Sequence, residues 1–443
     1  MVQVTEKNLH TDVVALASPA AFFDVAVVGL GYVGLPLALL TDRKGHRVVG
    51  IDISEKKIAS IRGGISPFFD EQIQKHLDAK PLSVDTDFAR IRESEIVIVC
   101  VPTPVHEDHL PDLGPLRGAC EAIAPHMQKG TLVVIESTVN PGVCDTVVIP
   151  ALEEHSGLKA GEDFMVSHCP ERVNPGDERW SVENINRVAG SLTPEGLEKT
   201  LDFYRSIVIG DVRPMGSLKE AEAVKIVENT FRDVNIAFVN ELALSFDKLG
   251  IDVVNVIEAA ATKPFAFLPH FPSCGVGGHC IPVDPYYLIE EGRRNGFEHE
   301  FLSLARSINN RMPVHTVNLL ARALEAENKE LRGSRIAVLG LAYKSDIDDT
   351  RESPARIILK ELTARGAEPV PFDPFVKGEG AESLEGALTG AQGAIIATSH
   401  RTFRSLAPED FLKHDVRIVI DGKNCLPKNL FVEAGVRYHG IGR

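Results

Sequence analysis

One cysteine in this chain is placed where a nucleophile would be. It ends the stretch Gly275-Val-Gly277-Gly278-His-Cys280, which continues Ile-Pro-Val-Asp284-Pro. Three glycines in four residues suit a backbone that takes φ > 0 or comes close to a ligand, and suit neither helix nor strand. A thiol on such a loop, with a carboxylate four residues on, has the components of covalent catalysis. By itself the same cysteine also fits a buried structural role, because free Cys packs as a small hydrophobe.

A second set of residues reads as a cofactor site. Gly29-Leu-Gly31-Tyr32-Val33-Gly34 follows the apolar run Asp24–Val28 and opens a helical pattern, and Asp52 ends the next apolar run, 18 residues after Gly34. In that setting the glycines give the tight turn and close approach that a pyrophosphate needs, and the helix N-terminus faces its charge. Asp52 would accept ribose hydroxyls and repel a 2′-phosphate, which favours NAD over NADP. Further polar turns follow apolar runs: Val101-Pro102-Thr103-Pro104, Glu136-Ser-Thr138-Val-Asn-Pro-Gly142, and Cys169-Pro-Glu171-Arg172-Val-Asn174-Pro-Gly176. Each of these turns alone could be ordinary. Lys225 and Asn229 share one helix face at i,i+4 and could bind an anionic oxygen, although a solvated face is the usual role of such a lysine. Lys344 and Arg351, in Gly340-Leu-Ala-Tyr-Lys344 and Asp348-Asp-Thr-Arg351-Glu-Ser-Pro354, could offer positive charge to phosphates, with Pro354 at a helix start.

The elements that would position these residues are legible. Short runs apolar on both faces, at Asp24–Val28, Arg47–Ile51, Glu95–Val101 and Thr131–Ile135, alternate with helical patterns and predict a parallel sheet covered on both sides. A second alternating region holds Arg335–Leu339, Pro369–Phe372, Gly393–Ala397 and Arg417–Asp421. Between them, residues from about Ser217 to Leu249 contain no Pro or Gly and predict one long helix. It is apolar around most of its circumference (Val224, Val227, Phe231, Val234, Phe238, Leu242, Phe246), which implies burial in the protein or against another subunit. The Gly/Pro-dense stretch 264–285 falls between the two regions as the active-site segment.

Composition narrows the class. The chain has 443 residues, enough for two or three domains of about 100–200 residues each. A net charge of −15 is the opposite of a nucleic-acid footprint. Seven cysteines, an odd number without CxxC spacing, predict reduced thiols in a cytoplasmic protein with no disulfide framework and no metal site. No secretory signal is expected, because Met1 to Asp12 is polar and mixed in charge, and no membrane span, because the apolar stretch Val25–Leu40 has only 16 residues and carries three glycines and a proline.

Taken together, these motifs resemble the UDP-glucose/GDP-mannose dehydrogenase family, the NAD-dependent nucleotide-sugar 6-dehydrogenases. The resemblance runs from about Phe23 to the C-terminus, in the family's order, and leaves residues 1–22 as an extension without a function. It implies an α/β fold of two Rossmann-like doubly wound parallel-sheet domains joined by a long central helix. The expected divisions are an NAD-binding domain at 23–216, a central helical domain with the cysteine loop at 217–325, and a UDP-sugar-binding domain at 326–443.

The resemblance also implies roles. Cys280 matches the nucleophile and Asp284 the nearby catalytic carboxylate. Lys225 and Asn229 match the pair that stabilises oxyanion charge and orients substrate and water, while Thr138 and Glu171 match positions serving the catalytic water and acid/base work. Cofactor contacts are implied for Gly29, Gly31, Tyr32, Val33, Gly34, Asp52, Pro102, Thr103, Thr138 and Arg351. Substrate contacts are implied for Glu171, Arg172, Lys225, Asn229, Gly277, Gly278 and Lys344. The partner is a UDP-sugar, and the central helix suggests a homodimer or higher homo-oligomer.

Family members oxidise a C6 alcohol to a carboxylate with two NAD and release no free aldehyde. Val283 stands where glucose-specific members carry a lysine, and the segment from Thr262 to Tyr287 looks most like bacterial UDP-N-acetylhexosamine dehydrogenases. The N-acetylglucosamine type, which feeds surface-polysaccharide synthesis, is the nearest, followed by N-acetylmannosamine and then glucose. Ser273-Cys274 departs from the Pro-Gly-Pro-like step expected before the glycines. A catalytically silent NAD-binding scaffold and a simple 2-hydroxy-acid dehydrogenase are the alternatives from other classes.

Overall fold

Apolar runs alternating with helices build two sheets, one on each side of a long helix. The computed structural model describes residues 23–68, 70–106, 111–173, 179–278 and 280–443. The extension 1–22, Asn174-Pro-Gly176 of one polar turn, and His279 of the cysteine loop lie outside the described residues.

The first sheet holds β1 (Asp24–Val28), β2 (Arg47–Ile51), β3 (Val84–Asp85), β4 (Ile96–Val99), β5 (Leu132–Ile135), β6 (Met165–His168), β7 (Arg187–Ser191) and β8 (Val212–Pro214). Its order is β3-β2-β1-β4-β5-β6-β7-β8. Side chains alternate across it: Val25 and Val27 enter one core, Ala26 and Val28 the other, so each short strand is covered on both faces. The order reverses at β1, between β2 and β4, which opens a crevice at the strands' carboxyl ends. The pairing is parallel from β3 through β6, but β6 and β7 are antiparallel. The reversal is confined to this one pairing of an otherwise parallel sheet. It brings the first residue of β7, Arg187, to the ligand-facing edge of the sheet.

The second sheet, β9 (Arg335–Leu339), β10 (Glu368–Phe372), β11 (Gly393–Ile396), β12 (Ile418–Asp421) and β13 (Arg437–Gly440), is parallel throughout, in the order β10-β9-β11-β12-β13. The Val25–Leu40 stretch is β1 followed by the helix Gly34–Arg43. No helix among the described residues is long and apolar enough to cross a membrane.

The central helix, Leu218–Leu249, begins where Ser217 caps the Glu220 amide and ends at Gly250 in the left-handed region. Glu222 on this helix accepts from the amides of Gly142 (2.5 Å) and Cys144 (2.8 Å), tying it to the turn after β5. A 26-residue helix, Glu300–Glu325, runs against it. The two share a buried polar seam in which Asp233 accepts from Arg306 and Asn309, and Asn309 from Asn240. Asn240 in turn accepts from the Ser273 amide at 3.0 Å, so the seam reaches the start of the cysteine loop. The central helix is not buried all round: Val227, Phe231 and Phe238 are 55%, 50% and 55% exposed in the single chain.

Candidate active site

At the crevice of the first sheet, Gly29 turns at φ +94° and its amide donates to Ile51 O at 2.8 Å. A Cβ on Gly29 would meet Cys100 O at 2.6 Å, and one on Gly34 would meet Gly29 O at 1.9 Å, so both must be glycine. Beside Gly31 nothing lies within 4 Å of a would-be Cβ, leaving open space in front of the helix N-terminus. These residues fit the diphosphate of a dinucleotide. Asp52 accepts from the amides of Leu30 (2.8 Å) and Ser54 (3.0 Å) and pairs with Lys57 at 2.5 Å. Val33 packs on the core, whereas the Tyr32 ring lies tilted against Phe68 and its hydroxyl reaches Asp348 of the C-terminal domain at 3.5 Å. In the neighbouring turns, Thr103 Oγ donates to Thr138 O at 2.7 Å, placing Pro102, Thr103 and Thr138 along the same edge.

The cysteine loop leaves the central domain and packs on the C-terminal one. Cys274 is buried, its amide donating to Gly422 O at 2.7 Å and its thiol to Ala397 O at 3.5 Å. Ser273-Cys274 therefore serves as an anchor to the second sheet. Gly275 and Gly278 adopt φ +138° and +91°, as the glycine-rich composition implies. The close approaches, however, are to protein. A Cβ on Gly277 would strike Pro354 and Tyr343 at 2.7–2.8 Å, and one on Gly278 would strike the Tyr343 ring at 2.7 Å. The Gly278 amide donates to Arg351 O at 3.1 Å. Gly277 and Gly278 thus let the loop lie against the C-terminal domain.

Cys280 follows in a tight turn, its carbonyl accepting from the amides of Val283 (3.0 Å) and Asp284 (2.8 Å) at the start of the helix Asp284–Arg294. Burial pushes its thiol up to about 12 and the Asp284 charge adds to this, while Lys225, Arg351 and Arg232 pull it down. Asp284 is buried and accepts from Asn229 Nδ2 at 2.6 Å. Desolvation lifts it to about 7, opposed by that hydrogen bond and by Lys225. Its folded value is above its unfolded one, so its contribution to stability is greatest at low pH and is lost as pH rises through about 7. Tyr287, one turn on, donates to Thr103 O and joins this helix to the cofactor edge.

Glu171, after β6, accepts from the amides of Arg172 (2.6 Å) and Val173 (2.8 Å) through one oxygen and from Arg187 (2.7 Å) through the other. Arg172 is engaged with Glu228 of the central helix and with Asn186 O. Lys344 is half-buried in the loop after β9, and Arg351 pairs with Asp349, its Nε 2.9 Å from Oδ1. Arg351 is near enough to both Cys280 and Tyr32 for its charge to lower the proton affinity of each.

Sequence reasoning missed three features here. Arg232 continues the Lys225–Asn229 face at i+7, a spacing visible in the sequence. Lys57 beside Asp52 had no signal beyond its charge. Glu136 opens a polar turn visible in the sequence, but Arg187 and Tyr204, which join it in a buried set, come from separate elements and had no local signal.

Comparison with known proteins places the chain in a family. Residues 23–208, 219–311 and 337–428 match the NAD binding, central and UDP binding domains of the UDP-glucose/GDP-mannose dehydrogenase family. The chain belongs to that family. It is an NAD-binding nucleotide-sugar 6-dehydrogenase, a UDP-sugar dehydrogenase. It is 39% identical to the UDP-N-acetyl-D-glucosamine 6-dehydrogenase of Pseudomonas aeruginosa over 396 residues, covering 88% of this chain and 93% of that protein. It is 38% identical to the UDP-N-acetyl-D-mannosamine dehydrogenase of Pyrococcus horikoshii over 426 residues, 95% of this chain and 99% of that one. A solved structure of UDP-D-ManNAc dehydrogenase from Pyrococcus horikoshii aligns at a TM-score of 0.89, with 38% identity and 95% and 99% of the two chains covered.

The Asp52–Lys57 pair yields a test of cofactor choice in this dehydrogenase. In Asp52→Ala the repelling carboxylate is gone and Lys57 is released toward a 2′-phosphate. The NAD/NADP ratio of kcat/KM should fall at least about tenfold, or roughly 1.4 kcal/mol. An unchanged ratio would show that Asp52 does not set the preference.

Proposed function

We propose that the enzyme oxidises the C6 hydroxyl of UDP-N-acetylglucosamine to the uronate, in four electrons, through a covalent intermediate on Cys280. The observation that carries this reading is the meeting of three units around one thiol. Lys225 and Asn229 come from the central helix, Asp284 from the helix that Cys280 precedes, and Arg351 from the C-terminal domain.

Bound NAD supplies a hydride acceptor for each of the two oxidations. Asp284, with its proton affinity near neutrality, takes the proton of the C6 alcohol as the aldehyde forms. The Cys280 thiol gives up its proton to solvent as its sulfur adds to the aldehyde carbon, and the carbonyl π pair moves to oxygen, which Lys225 stabilises. Loss of the second hydride turns this thiohemiacetal into a thioester. Water adds, the C–S bond breaks, and carboxylate and thiol are released. A carboxylate has about four acceptor positions. Glu171 uses three in the hydrogen bonds described above, leaving one for that water, with Thr138 on the same edge.

Two features support an N-acetylhexosamine. Val283 is buried against Ile226 and Tyr287, so no lysine reaches the sugar from that position. The relatives described above are named for N-acetylglucosamine and N-acetylmannosamine. The mannosamine epimer is the second reading, favoured by the Pyrococcus horikoshii protein. A pocket shaped around an acetamido group leaves polar groups unpaired with UDP-glucose, which should be a poor substrate. Consumption of the product in surface-polysaccharide synthesis accompanies this reading, in the cytoplasm, since a nucleophilic thiol needs a reducing compartment. A silent scaffold would not need the full set of Cys280, Asp284, Lys225 and Asn229, and a 2-hydroxy-acid dehydrogenase would not need a thiol.

We also infer that the exposed face of Val227, Phe231 and Phe238 joins two copies of the chain. A single-chain mass in light scattering would contradict that.

Initial rates across a panel of UDP-sugars test the function. UDP-N-acetylglucosamine should give the highest kcat/KM and two NADH per sugar. Cys280→Ser should lose turnover to the acid while retaining NAD affinity. One NADH per sugar, or a fully active Ser variant, would overturn the covalent route, and mannosamine as the best substrate would overturn the epimer.

A further inference from the structure

Beneath Glu171 lies a buried charge cluster that the reaction above does not use. Arg187 Nη1 donates to Glu136 Oε1 at 2.9 Å and Nη2 to Glu171 Oε2 at 2.7 Å. Tyr204, from the helix Pro194–Ile207, donates to the same Glu136 oxygen at 2.5 Å, and its ring lies 5.0 Å from the Arg187 guanidinium. Glu136, Arg187, Tyr204 and Glu171 are all buried.

Such a cluster is an expensive way to stabilise a fold. Breaking a buried ion pair costs several kcal/mol, but a well-packed apolar replacement is often neutral or better, so stability alone does not account for it. One guanidinium also faces two carboxylates, which leaves a surplus negative charge in the interior. Burial raises the proton affinity of Glu136, against the pull of Arg187, so Glu136 is the carboxylate at which a proton most readily relieves that surplus. Topology explains how the arginine arrives. Glu136 follows β5 and Glu171 follows β6, both at the carboxyl edge, and only an antiparallel β7 brings its first residue to that edge.

We propose that Arg187 is a positioning residue of the reaction: it bridges Glu136 and Glu171 so that Glu171 is held in one rotamer as an acceptor for the water that cleaves the thioester. This rests on the role given to Glu171 under the proposed function. Glu136 and Tyr204 fix the arginine from behind. The backbone amides of Arg172 and Val173 fix the other oxygen of Glu171, so its remaining acceptor position has one direction.

The test uses full-length enzyme turning over UDP-N-acetylglucosamine and NAD. Arg187→Ala should lower kcat by about 100-fold, the scale of misplaced acid–base catalysis, while both KM values stay within about threefold. A pocket of about 550 Å³ lined by Arg172, Arg187 and Arg213 lies next to the vacated position, whose side chain is fully buried in the intact protein. Guanidinium ion should therefore restore turnover to Arg187→Ala, and urea or methylammonium at equal concentration should not. If the Ala variant does not fold, Arg187→Lys keeps the buried charge but loses the two-pronged bridge. It should show the same fall in kcat at unchanged KM.

A folded Arg187 variant with normal kcat, or a loss confined to KM, would overturn the proposal, as would the absence of guanidinium rescue in a folded Ala variant. Glu171→Gln separates the two layers. If it keeps full kcat, the role of Glu171 itself is wrong. If it loses kcat while a folded Arg187 variant does not, only the bridge is wrong.

Discussion

The hydrogen bond between Asn229 and Asp284 is the contact on which the rest of the site depends. It is 2.6 Å long, lies out of water, and joins the central helix to the helix that starts just after Cys280. Both ends are costly to bury, so neither would keep its place without the other. Once Asn229 is fixed, the helix repeat places Lys225 one turn before it and Arg232 almost a turn after it, and both act on the thiol. Tyr287, on the same short helix as Asp284, then connects this assembly to the turn after β4 on the cofactor side. The result is a thiol in a desolvated position, surrounded by groups that favour its charged form only in part.

The two sheets supply the walls of this arrangement by the same device. Asp52 follows β2 and accepts from the Leu30 amide in the turn after β1. Asp373 follows β10 and accepts from the amides of Leu341 and Ala342 in the turn after β9, at 2.6 and 3.0 Å. In each domain one buried carboxylate stiffens the glycine turn at the point where strand order reverses. The cysteine loop lies against the second of these turns through Tyr343, and Tyr32 of the first turn reaches toward it from the other side. The thiol is thus held between two rigid crevices.

Much of this was legible in the sequence. The apolar runs marked β1, β2, β4, β5 and β9 through β12, and the absence of Pro and Gly marked the central helix to within a residue. Cys280, Asp284, Lys225 and Asn229 could be singled out because each has a local pattern: a glycine loop, a four-residue step, a helix face. The strands β3, β6, β7, β8 and β13 could not be read, since they are two to five residues long and carry Asp, His, Arg, Gly or Pro. The helix Glu300–Glu325 was obscured by Pro313 in its interior. Gly277 and Gly278 were recognised as necessary, but the necessity comes from Tyr343 and Pro354, more than sixty positions away, which no local pattern reports. The Glu136–Arg187–Tyr204 cluster was hidden for the same reason.

A double-mutant cycle on Asn229 and Asp284 is the most direct test of this account. Asn229→Ala, Asp284→Ala and the double variant would be compared by denaturant unfolding at a pH above 7, where the Asp284 carboxyl, with a value of about 7, is ionised. A hydrogen bond to a charged group that holds the two helices together predicts a coupling free energy of roughly 1.5–3 kcal/mol. The coupling should shrink well below that pH, where the carboxyl is protonated. Effects that simply add above pH 7, within about 0.5 kcal/mol, would contradict it.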